Sequence, residues 1–178
     1  MISYILIFYS LFMIQDNSNL IFEASNKEDI SKWYVVDDGV MGGVSEGTIT
    51  MNTSKNLLFT GQVRLENNGG FSSIRYNFET KQVKQYQYVV LRLKGDGKEY
   101  QFRIKEDRQQ RYSYIQSFKT SGEWQTIKLP LDEFYAGFRG NKLKIPNYAG
   151  LEMDEIAILI GNKRKESFSL EIDKIYLE

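Results

Sequence analysis

The chain of 178 residues contains no cysteine and no histidine. Without cysteine there can be no disulfides or thiolate nucleophiles. Without histidine, the Ser-His-Asp and Cys-His catalytic arrangements and the usual zinc sites are excluded as well. The absence of cysteine does not determine whether the protein works in an oxidising or a reducing compartment, because a cysteine-free protein folds in either. Any catalytic chemistry would therefore have to use carboxylates, Lys, Arg or Tyr.

The chain also lacks an excess of charge of either sign, with 23 basic and 23 acidic residues. Nucleic-acid binders usually carry a basic excess or stripe, and steady adhesion to anionic membranes also needs one, so neither partner is expected. Aromatic residues, by contrast, are abundant, with 12 Tyr and 11 Phe. This content favours strands over helices, and the length suits one domain with a substantial core.

An apolar run occupies residues 2–14 and is followed by a polar stretch, residues 15–19. The run is shorter than the roughly 20 residues of a membrane helix, so no stable membrane span is expected, and its length fits a signal peptide. No Lys or Arg precedes it and no small-x-small cleavage site follows. A hydrophobic first strand and a misassigned start codon are the alternatives. We predict an apolar segment, favoured as a signal peptide, over residues 1–18 and one domain over residues 19–178. The protein is therefore expected to be exported or membrane-associated through that segment, or otherwise to be cytoplasmic.

Most of the chain alternates apolar and polar residues in short runs that are separated by turn residues. This pattern is typical of strands in a two-sheet β-sandwich. One turn of helix is expected after Asn26, and a long hairpin is expected around residues 106–110. Gly95-Asp96-Gly97 and Lys163-Arg164-Lys165 are predicted to be hairpin turns. The main strands are predicted at residues 20–23, 47–52, 57–65, 71–78, 88–93, 100–105, 112–118, 124–129, 156–160 and 168–177.

The stretch from Trp33 to Gly47 concentrates glycines between two predicted strands, at Gly39, Gly42, Gly43 and Gly47. Glycine reaches positive φ without steric cost, so this cluster marks backbone that turns sharply or approaches another group closely. A phosphate-binding glycine loop would open a helix, whereas this one joins strand to strand. The stretch therefore gives little support to nucleotide binding.

Several motifs of the chain, in register from Trp33 to the end, resemble those of the complex I intermediate-associated protein family, the assembly factors of NADH dehydrogenase. The resemblance implies a galactose-binding-like jelly roll. It also implies a non-catalytic, chaperone-like role in which the protein holds a respiratory-complex subunit or an assembly intermediate. The motifs are the stretch Trp33 to Gly47, Phe59-Thr60-Gly61-Gln62-Val63, Asn67-Asn68-Gly69-Gly70-Phe71, Lys94-Gly95-Asp96-Gly97, Glu123-Trp124, Phe138-Arg139-Gly140 and Phe168-Ser169-Leu170-Glu171-Ile172.

The adjacent acids Asp37 and Asp38 are the first candidates for chemistry. A glycosidase needs two carboxylates that face one substrate, but neighbouring side chains in extended backbone point to opposite faces. Capping of the glycine turn by one of these side chains is the favoured interpretation. A structural calcium site, with Asp38 joined by Asp96 or Glu46, is the other alternative, because hard cations prefer clustered oxygens.

Two further side chains each have two interpretations. Met41, in the glycine loop, either plugs the end of the sandwich, which is the commoner arrangement, or protrudes as an adaptable contact, which the family resemblance favours. Arg75 is predicted to form a structural ion pair with Asp38, since arginine is rarely buried without an anion. The alternative is that Arg75 binds a carboxylate or phosphate ligand.

The aromatic residues of the later strands suggest a surface that stacks sugars or holds a protein, although core packing explains most of these rings equally well. A carbohydrate-binding module of the galactose-binding-like type is therefore the alternative function, and a small enzyme built on Asp, Glu, Arg and Tyr is a third. The residues of this possible surface are Tyr100, Arg103, Tyr112, Tyr114 and Trp124.

The leading prediction is a non-catalytic domain that binds a protein partner, with no catalytic residue, no metal ligand and no cofactor apart from the structural calcium alternative. The glycines are predicted to shape the loop, Met41 to make apolar contact, and the charged residues to fix the loop or add specificity. The predicted partner-binding residues are Asp38, Met41, Gly42, Gly43, Ser45, Arg75, Asp96 and Tyr100.

Overall fold

The structure is a computed structural model that describes residues 19–178, so the predicted apolar segment of residues 1–18 lies outside the described residues. Short helical segments are α1 at Lys27–Ile30, where one turn of helix was expected, and three-ten turns at Asp38–Met41, Glu66–Asn68 and Leu131–Glu133. The strands are β1 Leu20–Glu23, β2 Trp33–Asp37, β3 Glu46–Met51, β4 Leu57–Val63, β5 Ser72–Gln82, β6 Tyr88–Lys94, β7 Glu99–Lys105, β8 Ser113–Lys119, β9 Trp124–Pro130, β10 Tyr135–Phe138, β11 Asn141–Lys142, β12 Glu152–Ile160 and β13 Glu166–Leu177.

These strands form two antiparallel sheets. The six-stranded sheet has the order β3-β4-β13-β6-β9, and β1 also pairs with β13. The seven-stranded sheet has the order β11-β10-β8-β7-β12-β5-β2. The predicted all-β jelly-roll sandwich is therefore confirmed.

The core lies between the two sheets and follows the alternation of the sequence. In β7, Tyr100, Phe102 and Ile104 are fully buried in the core, while Gln101 and Arg103 point to the opposite face. Side chains in a strand alternate between its two faces, so this strand has the two faces that its pattern predicted.

Two predicted hairpin turns are instead connections between the sheets. Gly95-Asp96-Gly97 joins β6 of the six-stranded sheet to β7 of the seven-stranded sheet, and residues 161–165 likewise join β12 to β13. Turn residues predict that the chain reverses, but they do not specify which sheet receives the next strand. By contrast, the hairpin predicted around residues 106–110 is confirmed, because β7 and β8 pair.

Several connections meet at one end of the sandwich, here called the glycine-loop end and defined by residues 38–45, 64–71, 95–98 and 161–165. Ser45 Oγ and the Arg64 backbone join the first two segments, and a Cβ at Gly161 would lie 3.2 Å from the Gly70 carbonyl oxygen. Among residues 19–178, the helices are all too short to cross a membrane.

Candidate functional site

Asp38 holds the glycine-loop end together from the inside. Its side chain has no exposed surface, and one carboxylate oxygen accepts a hydrogen bond from the Ser45 amide at 3.0 Å. The other oxygen accepts from Ser45 Oγ at 2.5 Å, the Gly70 amide at 2.6 Å and the Phe71 amide at 3.3 Å. One buried carboxylate therefore fastens residues 38–45 to residues 64–71.

The glycines around Asp38 provide the space that this carboxylate occupies. A Cβ at Gly43 would lie 2.3 Å from Asp38 Cγ, and a Cβ at Gly69 would lie 2.5 Å from Asp38 Oδ2. Gly42 adopts φ +87° at the end of the three-ten turn, a conformation that favours glycine. Gly42 and Gly43 thus shape the loop as predicted, Gly42 through its conformation and Gly43 by leaving room for Asp38.

The hydrogen bonds also set the charge of Asp38. Burial by itself raises the pKa of this carboxyl, but the hydrogen bonds from Ser45, Gly70 and Phe71 together outweigh burial. The resulting pKa lies below the ordinary value of 3.8. Asp38 is therefore an ionised acceptor at neutral pH, with hydrogen-bond donors on both of its oxygens.

Asp37 has a similar structural role on the other side of the strand. Its oxygens accept hydrogen bonds from Ser72 Oγ at 2.5 Å and from the Gly47 amide at 3.0 Å. The favoured interpretation, in which one of these side chains caps the glycine turn, holds for Asp38, which accepts from the Ser45 amide. Within residues 19–178 no group of three or more acidic side chains has an arrangement that could hold a metal ion.

Three apolar side chains protrude from the two joined loops, and together we call them the apolar patch: Met41, Val44 and Leu65. Their exposed fractions are 52%, 37% and 44%. Met41 is therefore not a plug of the sandwich end, and that interpretation is wrong. Sequence reasoning missed Val44 and included Leu65 in the strand predicted at residues 57–65, although β4 ends two residues earlier.

Asp96, which is partly buried, makes a second connection at the same end. Its carboxylate accepts hydrogen bonds from Tyr100 Oη at 3.0 Å, the Ser169 amide at 2.9 Å and Lys98 Nζ at 2.6 Å. Burial raises the pKa of Asp96, but these donors outweigh burial and hold the pKa below its ordinary range. Tyr100 is 1% exposed, so Tyr100 acts inside the fold and not at its surface.

Arg75 forms an ion pair, as predicted, but its partner is not Asp38, so the predicted partner is wrong. Arg75 projects from the outer face of the seven-stranded sheet, where its Nη1 lies 3.6 Å from Glu155 Oε1. Glu155 also pairs with Lys105 at 3.2 Å. Asp38 sits at the end of the sandwich, whereas Arg75 lies opposite Ala157 in the middle of β12.

The outer face of the seven-stranded sheet carries a cluster that we call the cationic face: Tyr34, Arg75, Arg103, Lys105 and Glu155. Cross-strand pairing aligns Tyr34, Arg75, Ala157 and Arg103 in one row over four adjacent strands. Sequence reasoning missed Tyr34, Lys105 and Glu155 as site residues. The alternation of polar Gln101, Arg103 and Lys105 in β7 indicated an outward-facing polar surface. It does not indicate which strands lie beside β7, and therefore does not identify Tyr34 or Glu155.

The aromatic surface predicted from the later strands does not form. Tyr100 and Tyr114 belong to the core, and Tyr112 packs against Tyr114 with ring centroids 5.5 Å apart. Trp124 lies on β9 of the other sheet, beneath the guanidinium of Arg92. The basic residues 163–165 are exposed, and Arg164 pairs with Glu166 at 2.9 Å.

Comparison with solved structures identifies the fold. The family 11 carbohydrate-binding module from Clostridium thermocellum, in complex with a β-1,3-1,4-mixed-linked tetrasaccharide, superposes with a TM-score of 0.63 at 15% identity. The match covers 89% of this chain and 94% of the module. The agarase AgWH50C gives a TM-score of 0.58 at 10% identity, over 89% of this chain and 24% of the agarase. Both likenesses support the galactose-binding-like sandwich.

Comparison with families and sequences identifies the relatives. A mouse (Mus musculus) protein named "Complex I intermediate-associated protein 30, mitochondrial" is 26% identical over 186 residues. The match covers 92% of this chain and 57% of the mouse protein, so the chain spans little more than half the length of that relative. The family model described as Complex I intermediate-associated protein 30 matches residues 22–172. Because that match extends over most of the chain, the chain belongs to the Complex I intermediate-associated protein 30 family.

Proposed function

We propose that this chain is a non-catalytic docking domain that holds a subunit or an assembly intermediate of NADH dehydrogenase through the apolar patch. The observation that carries the proposal is the exposure of Met41, Val44 and Leu65 on two loops that Asp38 fastens together. Exposed apolar side chains on joined loops are typical of protein-binding sites, and Met adapts to irregular partner surfaces. Family membership supplies the class of partner.

The buried hydrogen bonds support this role by keeping the patch in place. Asp38 accepts hydrogen bonds from both loops that carry the patch, so these loops need little further ordering when a partner binds. In this proposal Asp38 positions the contact surface and takes no part in catalysis. Its contribution to affinity is therefore indirect.

A comparison of matched variants tests the proposal. Met41→Ala and Leu65→Ala remove apolar side chains from the patch. Met51→Ala and Leu151→Ala remove the same residue types from exposed positions elsewhere, where Met51 is 37% and Leu151 is 46% exposed. Each tagged variant would be produced in its own cells, captured after membrane solubilisation, and its bound NADH dehydrogenase subunits quantified by mass spectrometry.

We expect the parent and the two control variants to recover NADH dehydrogenase subunits, and the two patch variants to recover several-fold less. Each hot-spot truncation costs about 1–2 kcal/mol of binding free energy. Unchanged melting temperatures would show that the patch variants fold. Equal recovery by all five proteins would refute the patch as the contact. Recovery of no NADH dehydrogenase subunit by the parent would refute the partner.

The proposal also specifies where the protein acts and that it needs no bound metal. The name of the mouse relative assigns that protein to mitochondria. We propose that this chain acts wherever its own cells assemble NADH dehydrogenase, and that it needs no cofactor. Melting curves in excess calcium and in excess chelator should coincide. A rise in melting temperature with calcium would restore the structural calcium alternative.

A carbohydrate-binding module is the second candidate. The predicted aromatic surface at Tyr100 and Tyr114 is buried, so it does not support this function. The observation in its favour is a different one: Tyr34 is 40% exposed and lies opposite Arg75 on the neighbouring strand of the cationic face. Aromatic rings beside planar polar groups are suited to stacking against sugars.

A further inference from the structure

The cationic face has more positive than negative charge. Arg75 and Lys105 both approach the same Glu155 oxygen, at 3.6 and 3.2 Å. Arg103 lies on the same face, two strands away from Arg75 and about 10 Å distant at Cα. Arg75 and Lys105 therefore share one carboxylate, Arg103 adds a further positive charge to the same face, and a negative ligand would balance the excess.

Arg103 is the cation without an acidic partner. Its Nε and Nη2 both donate to Gln101 Oε1, at 3.2 and 2.7 Å, and no carboxylate of residues 19–178 lies within 4 Å of its guanidinium. Burial, followed by the nearby charge of Arg75, lowers the pKa of Arg103 to about 10. A half-buried guanidinium whose charged form is disfavoured in this way is suited to receive an anion.

Tyr34 and Asn77 add to the cationic face an exposed aromatic ring and a free hydrogen-bond acceptor, which are suited to a sugar ring and its hydroxyl groups. The Tyr34 hydroxyl reaches Glu155 Oε2 at 3.5 Å, although β5 lies between their two strands, so the exposed ring extends across the sheet. Asn77 Oδ1 on the same face is buried and has no hydrogen-bond partner. An acceptor of this kind needs a donor such as a hydroxyl.

A cavity of about 380 Å³ opens at the edge of the cationic face. Gln101, which holds Arg103, lines it together with Leu159, the basic residues Lys163 and Arg164, and the acid Glu99. Its volume falls in the range of small-molecule sites. Arg164 is already paired with Glu166, so Lys163 is the basic side chain of this lining that would meet a ligand extending from Arg103.

We propose that the cationic face binds a saccharide that carries carboxylate groups, with a carboxylate held by Arg103 and Arg75 and a sugar ring stacked on Tyr34. An acidic peptide is less suited, because among the exposed large apolar side chains of residues 19–178 this face has Tyr34 alone and no aliphatic anchor. The proposal defines the ligand class of the second candidate function. It does not depend on the apolar patch.

Isothermal titration calorimetry with defined probes tests the proposal. The probes are trigalacturonate, its neutral counterpart galactotriose, and a pentaglutamate peptide, each at about 50 mM and about 500 mM salt. Arg103→Gln removes the proposed anion contact. Arg92→Gln is the matched control, since Arg92 is exposed on the outer face of the other sheet.

We expect trigalacturonate to bind at least about tenfold more tightly than galactotriose, and to weaken at high salt. Arg103→Gln should lose about tenfold in affinity, while Arg92→Gln and Met41→Ala should match the parent. Equal binding of both sugars, tighter binding of pentaglutamate, or no binding of trigalacturonate at millimolar concentration would each overturn the proposal. The Met41→Ala result separates this site from the protein-docking function.

Discussion

Replacement of Asp38 by Asn tests the central connection of the glycine-loop end. The carboxylate accepts four hydrogen bonds, from the Ser45 amide and hydroxyl and from the amides of Gly70 and Phe71. Asparagine keeps the shape but has one acceptor oxygen, so its NH₂ group would face backbone N–H donors. Each buried donor left unpaired costs about 1–3 kcal/mol, and we expect Asp38→Asn to lose about 4 kcal/mol in the free energy of unfolding.

Urea unfolding followed by tryptophan fluorescence measures this loss. A chain of this size loses about 2–4 °C of melting temperature per kcal/mol, so the melting temperature should fall by about 10 °C. Asp132→Asn is the control, because the Asp132 side chain is exposed, and it should change stability by less than about 0.5 kcal/mol. A loss below about 1 kcal/mol for Asp38→Asn would refute the role of the carboxylate.

The pH dependence of stability, compared between the parent and Asp38→Asn, gives an independent check. The pKa of Asp38 in the folded state lies below its ordinary value of 3.8, so the carboxylate stabilises the fold above that value. This contribution is lost as the pH falls through the folded-state pKa. The stability gap between the parent and Asp38→Asn should therefore be constant from about pH 5 to pH 7 and shrink below about pH 4. A gap independent of pH would contradict the ionised assignment.

The remaining predictions concern residues beside Asp38 and beside Asp96. Gly43→Ala should lose more than about 2 kcal/mol, because its Cβ would overlap Asp38, whereas a Cβ at Gly39 meets nothing within 4 Å and Gly39→Ala should stay within about 0.5 kcal/mol of the parent. Equal stabilities would show that the loop relaxes freely. Tyr100→Phe should lose about 1 kcal/mol by leaving Asp96 without one donor, and unchanged urea unfolding would show that this hydrogen bond contributes nothing.

Local features of the chain were predictable because they depend on near neighbours in sequence. The alternation in β7 follows from period-two side-chain geometry, and the glycine-loop conformation follows from glycine at positive φ. Gly42 and Gly43 are close in sequence to the Asp38 that they surround. Capping by adjacent acids was therefore within reach of sequence reasoning.

Features that depend on strand order were not predictable. The partner of Arg75 is Glu155, which lies in a strand 80 positions later, and the choice between Glu155 and Asp38 depends on which strands pair. The cationic face likewise combines four strands between Tyr34 and Glu155. Leu65 was included in the predicted strand because the alternation continues beyond Val63, where β4 ends.

The position of β13 at the centre of the six-stranded sheet has a consequence for synthesis. The strand β13 (Glu166–Leu177) pairs with β1, β4 and β6, yet it follows all the other strands of residues 19–178 in chain order. While a ribosome makes the chain, these three strands expose unpaired edges until residues 166–177 emerge. Unpaired strand edges are sites at which one chain can pair with another and aggregate. The six-stranded sheet can be completed only after residues 166–177 have emerged. A nascent chain that pauses before β13 would be the form most exposed to aggregation.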